Sequence, residues 1–450
     1  MNVFRFVATV LPMTFLIACG TSGTTLPIEK GLTTPLHSVA KDDEPEAVAS
    51  LLDRGADIEA RNEKGATPLH VATAYNKPEV VALLLDRGAN IEARTEEGVT
   101  SLHFAARNNE PEVVALLLDR GVNVNARDKD EWTPLHAAAR HNTPEMVGLL
   151  LDRGADIEAL TEKRRTPLHF AARYNKPEVV MLLLDRSADI KARAENGGTP
   201  LHFAAGDNKP EVVALLLDRG ADIKARAEFG LTPLHFATRS NKLGIVALLL
   251  DGGADVNART KEFGWTPLHF AARGNEPEVV ALLLDRGADI EARDDVGSSQ
   301  VSWGAVFAKA IGVVFLLSLE ALWPSRDEER YYDSGRPDRT KRIGELLYKP
   351  VTFRPGGNTP LHFAAGYNDS VVVALLLDEG ADIKARTAFE STPLHEAANS
   401  NKPEVVALLL DRGAPIEVRD DADFTPLDYA EDNEHLKGNS VLDRLKVTQE

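Results

Sequence analysis

The sequence predicts an all-α repeat solenoid, which is a stack of similar helical units, and three observations lead to this prediction. The chain has 450 residues, too many for a single ordinary hydrophobic core. The tetrad Thr-Pro-Leu-His begins at Thr133, Thr166 and Thr199, and it returns at most other steps of 33 residues along the chain. Each unit also carries an apolar string such as VVALLLD at residues 80–86, which a unit of this size cannot bury by itself. The units must therefore stack on one another.

The N-terminal segment is typical of a secretory signal peptide. Residues 1–18 contain Arg5 as their only charge, and their apolar stretch is too short to span a membrane comfortably. Residues 16–19 read Leu-Ile-Ala-Cys and resemble the bacterial lipobox, in which the cysteine is lipidated and the chain is cut just before it. The resemblance implies lipidation of Cys19 and a protein anchored in the bacterial envelope. Gly20 after the cysteine implies the outer membrane, facing the periplasm or the cell surface.

One unit illustrates how each helix begins and ends. Thr67 predicts a helix N-cap, because its hydroxyl can accept from free backbone N–H groups, and Pro68 suits the first helical position. Asn76 predicts the end of this first helix, since asparagine tolerates a positive φ. Pro78 begins a second helix that is apolar nearly all round, as in a helix buried between stacked neighbours. Gly88 predicts its end.

Together, the tetrads and the leucine-rich strings resemble ankyrin repeats, and the resemblance covers nearly everything after residue 30. It implies about twelve units, each a helix-turn-helix with a hairpin finger that projects from the helical stack. The predicted organisation is a signal peptide at 1–18, a tether at 19–30, repeats one to eight at 31–298, a degenerate repeat at 299–331, an insertion at 332–358, and further repeats with a C-terminal cap at 359–450.

The degenerate repeat is inferred from the one long step between tetrads, which covers 93 residues from Thr266 to Thr359. Residues 312–318, GVVFLLS, keep the apolar register of VVALLLD. The alternative is that residues 301–323 enter a bilayer. Two charges in this segment leave ten uncharged residues between them, where a spanning helix needs about 20. The length favours the repeat, and the membrane segment remains the alternative.

The repeats depart from the family pattern at two positions. Asparagine replaces the glycine expected at the end of the first helix. Glutamate or lysine mostly replaces the asparagine expected in the finger, which remains at Asn125 and Asn257. The second change predicts looser hydrogen bonding in the finger. The last unit has no lysine or arginine at 420–434, which predicts a solvated acidic cap, with partner capture or calcium binding as the alternative.

Ten of the twelve histidines recur at one position per unit, which could be mistaken for an array of metal ligands. They are His37, His70, His103, His136, His169, His202, His235, His269, His362 and His395. The family resemblance implies a structural role instead, with the tetrad side chains bonding one another and the neighbouring backbone. Imidazoles on adjacent repeats should also lie about 8–10 Å apart, too far to share one ion.

Composition and motifs exclude several classes of function. The net charge of −18 argues against non-specific nucleic-acid binding, because a phosphate backbone is held by surplus lysine and arginine. The single cysteine excludes a disulfide framework and a four-cysteine metal site. There is no glycine-rich phosphate loop and no Gly-x-Ser-x-Gly or His-Glu-x-x-His motif. We therefore predict a monomeric protein that is not an enzyme and that needs no cofactor or metal.

The positions that the family leaves exposed predict where a partner protein binds. These are the finger tips and the last two residues of the first helix. At these positions basic residues outnumber acidic ones, and a large share of the protein's few aromatic residues is found there. Arginine, tyrosine and tryptophan dominate interface hot spots. The candidate residues are Tyr75, Arg107, Trp132, Arg140, Arg173, Tyr174, Phe229, Arg239, Phe263, Trp265, Arg273, Tyr367 and Phe389. The finger arginines Arg94, Arg127, Arg193, Arg226, Arg259 and Arg293 add to the expected positive charge.

The predicted function is a lipid-anchored scaffold that binds another protein, with an acidic segment of the partner along the concave ankyrin face. A protein that inhibits, neutralises or protects an envelope enzyme is a narrower form of this function. The alternatives are a membrane-inserted structural protein that uses residues 301–323 and, less consistent with the lipobox, an effector injected into a host cytosol. The alternative reading of the charged face is that its arginines and glutamates only pair with one another in solvent.

Overall fold

The computed structural model describes residues 34–295 and 357–446, apart from residues 43, 76, 109–110, 142, 175, 208, 275–276, 368–369, 401 and 434. The described residues form α-helices and one short 3₁₀-helix, and they contain no strand. The chain divides into two compact units, which lie within Met1–Val256 and Asn257–Glu450. The predicted all-α repeat solenoid is confirmed in each unit, which is a stack of helix pairs. The signal peptide, Cys19 and the tether lie outside the described residues.

The helices come in pairs, and in each unit the first helix of a pair packs against its second helix and against the first helices of adjacent pairs. The first unit contains α1 (Pro35–Asp42) and α2 (Pro45–Asp53), α3 (Pro68–Ala74) and α4 (Pro78–Asp86), α5 (Ser101–Asn108) and α6 (Pro111–Asp119), α7 (Pro134–His141) and α8 (Pro144–Asp152), α9 (Pro167–Tyr174) and α10 (Pro177–Asp185), α11 (Pro200–Asp207) and α12 (Pro210–Asp218), and α13 (Pro233–Arg239) and α14 (Leu243–Asp251). A 3₁₀-helix at Glu228–Gly230 precedes α13. The described part of the second unit contains α15 (Pro267–Gly274) and α16 (Pro277–Asp285), α17 (Pro360–Tyr367) and α18 (Ser370–Asp378), α19 (Pro393–Asn399) and α20 (Pro403–Asp411), and α21 (Pro426–Asp432) and α22 (Ser440–Lys446).

The core of each unit is made by the apolar face of every helix. In α4 the side chains of Val80, Val81 and Leu84 are fully buried. Leu83 and Leu85 are only partly buried, so this helix is less enclosed than its apolar sequence predicts. Burying one leucine or valine side chain contributes about 1.5–3 kcal/mol, and the contribution recurs in every repeat. Stacking therefore supplies the stability that a single pair lacks.

The second helices end where the chain turns into a left-handed conformation. After α4, Gly88 has φ +92 and its N–H donates to Leu85 O, while Ala89 N–H donates to Leu84 O at 2.9 Å. These bonds satisfy carbonyls that the helix end leaves open. After α10 the same position holds Ser187, which has φ 71 without the freedom of glycine. Asn241, which follows the first helix α13, has φ 54, in agreement with the predicted stop.

The finger is the segment between the second helix of one pair and the first helix of the next. Fingers close in a tight turn, as where Thr95 N–H donates to Val99 O at 3.0 Å, and the described finger residues form no strands. Successive fingers bond one another through the backbone: Lys129 N–H donates to Glu97 O at 3.0 Å. Finger pairing therefore couples each repeat to the next one in the same unit.

Glutamate largely retains the hydrogen bond of the asparagine that it replaces in the finger. The Oε1 atom of Glu92 accepts from Asn123 N–H at 2.7 Å, as Asn125 Oδ1 accepts from Asp156 N–H at 2.8 Å. Asn125 in addition donates through Nδ2 to Gly154 O at 3.0 Å, which a glutamate cannot do. At the glutamate positions the predicted loosening is therefore limited to the loss of one donor, whereas the lysines at 191 and 224 have no side-chain acceptor to replace the asparagine oxygen.

The repeats on either side of the long tetrad step stack directly on each other within the second unit. Helix α15 packs against α17, and α16 packs against α18. The finger that starts after α16 is completed by residues just before α17. Asn358 N–H donates to Asp294 Oδ1, and Gly357 N–H donates to the Asp294 carbonyl oxygen. The degenerate repeat predicted at 299–331 lies outside the described residues, as does most of the insertion predicted at 332–358.

The tetrad histidines join each first helix to the following finger. In the repeat of α3, Thr67 N–H donates to His70 Nδ1 at 3.1 Å, which leaves the ring proton on Nε2. That nitrogen donates to Val99 O in the next finger at 3.2 Å. The same bridge recurs through both units, and across the long step His269 Nε2 reaches Asn358 O at 3.1 Å. The structural role expected for these histidines is confirmed.

The last described repeat carries Thr-Pro-Leu-Asp at residues 425–428 in place of the tetrad. Asp428 replaces the histidine and accepts from Thr425 N–H and from the Thr425 hydroxyl, both at 2.7 Å. Asp420 in the preceding finger accepts from Phe424 N–H and from the Tyr429 hydroxyl at 2.7 Å. These acids are engaged in the cap itself, and burial and the Asp420 carboxylate raise the pKa of Tyr429.

Burial keeps the histidine bridges neutral. Desolvation lowers the pKa to about 4, against an ordinary value of about 6.5, for His70, His103, His136, His169, His202, His269 and His362. The bond from Nε2 to a carbonyl raises the pKa of each ring but only partly offsets desolvation. The rings therefore remain uncharged in the folded protein at pH 7.

Replacing Ser187 with glycine should raise the free energy of unfolding by about 1 kcal/mol, because it removes the cost of a side chain in the left-handed region. The matched reverse change is Gly154→Ser, at the same position of the preceding repeat, where φ is +88 and the space around the glycine is open. It should lower stability by a similar amount in urea unfolding. Equal stability of all three proteins would contradict the argument.

The free energy of unfolding should fall as the pH is lowered from about 6.5 to about 4. In this window the unfolded chain binds a proton at each bridging histidine and the folded protein does not, so each contributes about 1.4 kcal/mol per pH unit. The free energy of unfolding stops falling for this reason once the pH is below about 4, the pKa of these histidines in the folded protein. Asp128, whose pKa burial raises to about 6, acts in the opposite direction.

The measurement is urea unfolding at pH 7 and pH 5, together with the number of protons taken up on unfolding at pH 5. His202→Gln should reduce that uptake by about one proton. The control is His435→Gln, because His435 is exposed and lies outside the histidine bridges. Unchanged proton uptake in His202→Gln would show that the bridge does not titrate as described.

Candidate functional site

The last turns of three consecutive first helices carry a row of guanidinium groups in the first unit. The penultimate residues of α5, α7 and α9 are Arg107, Arg140 and Arg173, and each position follows the previous one by 33 residues. Because these helices pack side by side, the three side chains lie along one edge of the stack. We call Arg107, Arg140 and Arg173 the arginine row.

Tyr174 lies between two members of this row. Its ring centroid is 4.7 Å from the Arg140 guanidinium carbon and 4.8 Å from that of Arg173. Tyr174 is nevertheless 42% exposed. Cation–π contacts of this kind hold the arginine side chains in place and leave their N–H donors available along the guanidinium plane. The result is an ordered, exposed aromatic ring beside positive charge.

Trp132 links this surface to the core. Its ring is half-buried and packs against Phe170 at 4.4 Å between centroids and against His136 at 5.9 Å. Arg140 lies 5.9 Å from the same ring, and the Trp132 carbonyl accepts from His103 Nε2. Trp132 therefore has a structural role, because part of its ring is covered by contacts within the stack of repeats.

The electrostatic environment of the arginine row is uneven. Arg173 forms an ion pair of 2.7 Å between its Nε and Asp207 Oδ2, and its side chain is only 10% exposed. Burial and the nearby Arg140 lower the pKa of Arg107. Burial, followed by the charges of Arg140 and Arg107, lowers the pKa of His141 to about 4. The row thus creates a locally positive field in an acidic protein.

The other candidate residues of the first unit lie apart from this cluster. Tyr75 is half-buried, and Lys41 Nζ lies 4.9 Å from its ring centroid. Phe229 is half-buried at a finger tip with φ 57. Arg239 is exposed and lies 5.6 Å from the Phe236 ring.

The second unit has its own aromatic surface. Trp265 is half-buried against Phe363 at 5.3 Å and Phe263 at 5.4 Å, and its Nε1 donates to Asp294 Oδ2 at 3.3 Å. Arg273 lies 4.9 Å from the ring of Tyr367, which is 43% exposed. Phe389, at a finger tip, is 52% exposed. The combination of arginine against an exposed tyrosine at the end of a first helix therefore occurs in both units.

Sequence reasoning missed the aromatic residue that follows the histidine in many tetrads. The side chains of Phe170 and Phe203 lie edge-to-face on the histidine of the preceding repeat, as where His136 and Phe170 are 5.6 Å apart. Phe170 also packs against the half-buried ring of Trp132. The repeated string Leu-His-Phe is the signal in the sequence that could have indicated these contacts.

The finger arginines are committed to the backbone. Arg193 Nη1 donates to Gly197 O at 3.0 Å and to Arg226 O in the next finger at 2.8 Å. Arg259 and Arg293 make the equivalent bond to the next finger in the second unit. These side chains hold fingers together, so their charge contributes less to an open binding surface than the sequence count indicates.

The outer side of each stack carries a different arrangement of charge. Arginine at the end of one second helix pairs with aspartate one repeat earlier, as in Arg120–Asp86 at 2.9 Å and Arg219–Asp185 at 2.7 Å. Both partners are well exposed, so each pair contributes little to stability. In these pairs each arginine faces a carboxylate of the preceding repeat.

The described residues show neither a metal site nor a membrane span. No group of three or more histidine, cysteine, aspartate or glutamate side chains among them is placed to hold a metal ion. In the same part of the chain, no helix is long and apolar enough to cross a membrane. The proposed membrane segment, residues 301–323, lies outside the described residues.

Comparison with known proteins agrees with the repeat geometry. The model of a family described as ankyrin repeats matches residues 13–95, 91–161, 154–227, 224–294 and 361–442. A search of curated proteins found no match. The five matches together cover most of the chain and coincide with the described helix pairs. Ankyrin repeats are a scaffold for protein–protein interaction. The chain belongs to the ankyrin-repeat family.

Proposed function

We propose that this protein is a lipid-anchored binding scaffold of the bacterial envelope, attached through Cys19 to the outer membrane and facing the periplasm or the cell surface. The lipobox-like residues 16–19 support the anchor. In this proposal the ankyrin repeats bind a partner protein and carry out no chemistry themselves. The binding surface lies at the ends of the first helices.

The observation that carries the proposal is the exposed ring of Tyr174 between the guanidinium groups of Arg140 and Arg173. Interface hot spots are rich in tyrosine and arginine, because these side chains bury much area and lose little conformational entropy when they are already ordered. The cation–π contacts order this ring before a partner arrives. A merely solvated charged face does not require such an arrangement.

The second unit supports the same mode of binding with Arg273 and Tyr367. Its exposed rings, Tyr367 and Phe389, lie on a first helix and a finger tip, as the family pattern predicts for partner contacts. The proposed partner carries an acidic segment, since arginine pairs well with carboxylates in a forked geometry.

The test of the binding surface compares two residues of one repeat with nearly equal exposure. Tyr174 is 42% exposed at the end of the first helix, and Met181 is 41% exposed on the second helix. The native envelope fraction is passed over the wild-type protein and over the Tyr174→Ala and Met181→Ala variants, and retained proteins are identified by mass spectrometry. Tyr174→Ala should weaken the captured complex by about 2 kcal/mol, and Met181→Ala should leave it unchanged. The reverse ranking would place the interface on the second helices and end the proposal.

The anchor is tested separately by Cys19→Ser. This change should abolish labelling with a radioactive or clickable fatty acid and move the protein from the membrane fraction to the soluble fraction, because the thiol that carries the lipid is gone. Ser38→Ala, in the first repeat, serves as a control and should leave both properties unchanged. Full membrane retention of Cys19→Ser would refute lipid anchoring.

A further inference from the structure

One finger tip of the first unit differs from its neighbours in charge. We call residues 161–165, Thr-Glu-Lys-Arg-Arg, the basic tip, and its three basic residues and one glutamate give a formal net charge of +2. On the adjacent fingers, three acids and one lysine give −2 at residues 128–132, and one glutamate gives −1 at 194–198. At no other finger tip that the structure describes in full do these positions carry a net positive charge. The basic tip is therefore a local positive site between two acidic neighbours.

Arg164, within the basic tip, has a strained backbone. Its φ is 52, in the left-handed region, where the equivalent residues Gly65 and Gly98 are glycines. A side chain in this region costs conformational free energy. Glu131 and Glu390 also have a positive φ at this position, but each forms an ion pair with the arginine four residues earlier, at 2.8 and 2.7 Å. In those two fingers the ion pair offsets part of the cost.

The series of finger arginines is interrupted at the same finger. Arg127 Nη1 donates to Leu160 O at 3.0 Å, which is one of the bonds by which a finger arginine holds the next finger. The residue equivalent to Arg127 in the following finger is Leu160, whose side chain has no donor for the finger after it. Because Arg127 also reaches Glu131 four residues later, an arginine at position 160 would reach Arg164 and repel it. Leucine removes this repulsion together with the bond between fingers.

Both features of this finger lower its stability, and both leave positive charge exposed. Among the described residues, the side chains of Lys163 and Arg164 are exposed and form no hydrogen bond or ion pair. A strained backbone and a missing bond at one place indicate a functional constraint, because sequences otherwise avoid such local costs. The constraint is explained if this finger presents an unpaired guanidinium group to a partner.

The basic tip adjoins the surface proposed for partner binding. Its finger leads directly into α9, which ends at Tyr174. Glu162 N–H donates to Asp130 O at 3.0 Å, and this bond joins the basic tip to the finger that carries Trp132. The basic tip thus belongs to the same repeat as Tyr174 and is next to the finger of Trp132.

We propose that Arg164 binds a single carboxylate of the partner protein, with Lys163 adding to the attraction. This inference rests on the proposed function and adds a contact of defined chemistry to the same surface. A guanidinium group can hold a carboxylate through two parallel N–H···O bonds. A nucleic acid or an anionic membrane would also meet the adjacent finger tips, whose net charges of −2 and −1 repel an extended polyanion. The partner segment therefore presents one acidic side chain among uncharged neighbours.

The test uses the full-length protein and two synthetic peptides with blocked ends. The probe is Gly-Ser-Glu-Ser-Gly, and the matched control is Gly-Ser-Gln-Ser-Gly, which removes only the charge. Titration followed by NMR should show that the glutamate peptide binds at least about tenfold more tightly than the control, as expected for a hydrogen bond to a charged group. Arg164→Gly and Arg164→Gln should abolish this difference. Arg120→Gln, which removes an exposed pair on the outer side, should preserve it.

A second measurement needs no ligand. Arg164→Gly should raise the midpoint of urea unfolding, because glycine adopts the left-handed conformation without strain. Leu160→Arg should raise the midpoint further in the Arg164→Gly variant, where the new guanidinium group can bond the next finger. In the wild-type protein the same change should lower it, because the new group meets Arg164. Greater stability together with lost carboxylate binding in Arg164→Gly would separate a binding role of Arg164 from a structural one.

Four results would overturn the inference. They are equal affinity for the two peptides, a lower urea midpoint of Arg164→Gly, equal effects of Leu160→Arg in both proteins, and binding to phosphatidylglycerol vesicles that depends on Arg164 in the Cys19→Ser variant. The last result would assign the basic tip to a membrane surface.

Failure here is distinguishable from failure of the proposed function. Capture of a partner that is weakened by Tyr174→Ala and unchanged by Arg164→Gly would refute the carboxylate contact and keep the proposed surface. Capture that is independent of Tyr174 would refute the proposed binding surface itself.

Discussion

The hydrogen bond from each tetrad histidine to the next finger is the interaction on which the rest of the structure depends. His136 illustrates it: Nδ1 accepts from Thr133 N–H at 3.1 Å, and Nε2 donates to Arg165 O at 3.0 Å. One neutral ring thus caps its own helix and joins it to the following repeat. An imidazole can do both because it has one acceptor and one donor on opposite sides of the ring. A charged imidazolium would lose the acceptor at Nδ1. The hydrogen-bond geometry and desolvation therefore both favour the neutral ring.

The same bridge joins repeats that lie far apart in the sequence. The carbonyl that His269 needs comes from Asn358, which is 89 residues further along the chain. Helix α15 packs on α17 and α16 packs on α18, so the stack of the second unit is continuous across the long tetrad step.

The same regularity produces the candidate surface. Because the stack repeats the end of each first helix at a fixed spacing, substitutions there appear side by side: arginine at 107, 140 and 173, and tyrosine at 174. On the outer side the repeated aspartate and arginine pair with each other, as Arg153 does with Asp119 at 2.8 Å. An acidic protein can thus carry a locally basic surface, because the balance of charge is set position by position within the repeat.

The sequence by itself determined the helix pairs, their boundaries, the histidine position and the set of exposed arginines and aromatic rings, since all of these follow from a strong local pattern with a fixed period. Only the tertiary structure decided which of those side chains are free to bind. It assigned Arg193 to finger carbonyls and placed Tyr174 between two guanidinium groups. It also brought Asn358 to Asp294, a contact between residues far apart in the chain that apolar register alone cannot show. The physical reason is that a repeat pattern specifies the helices and side-chain positions within each repeat. Contacts between repeats depend on which side chains the stacking brings together.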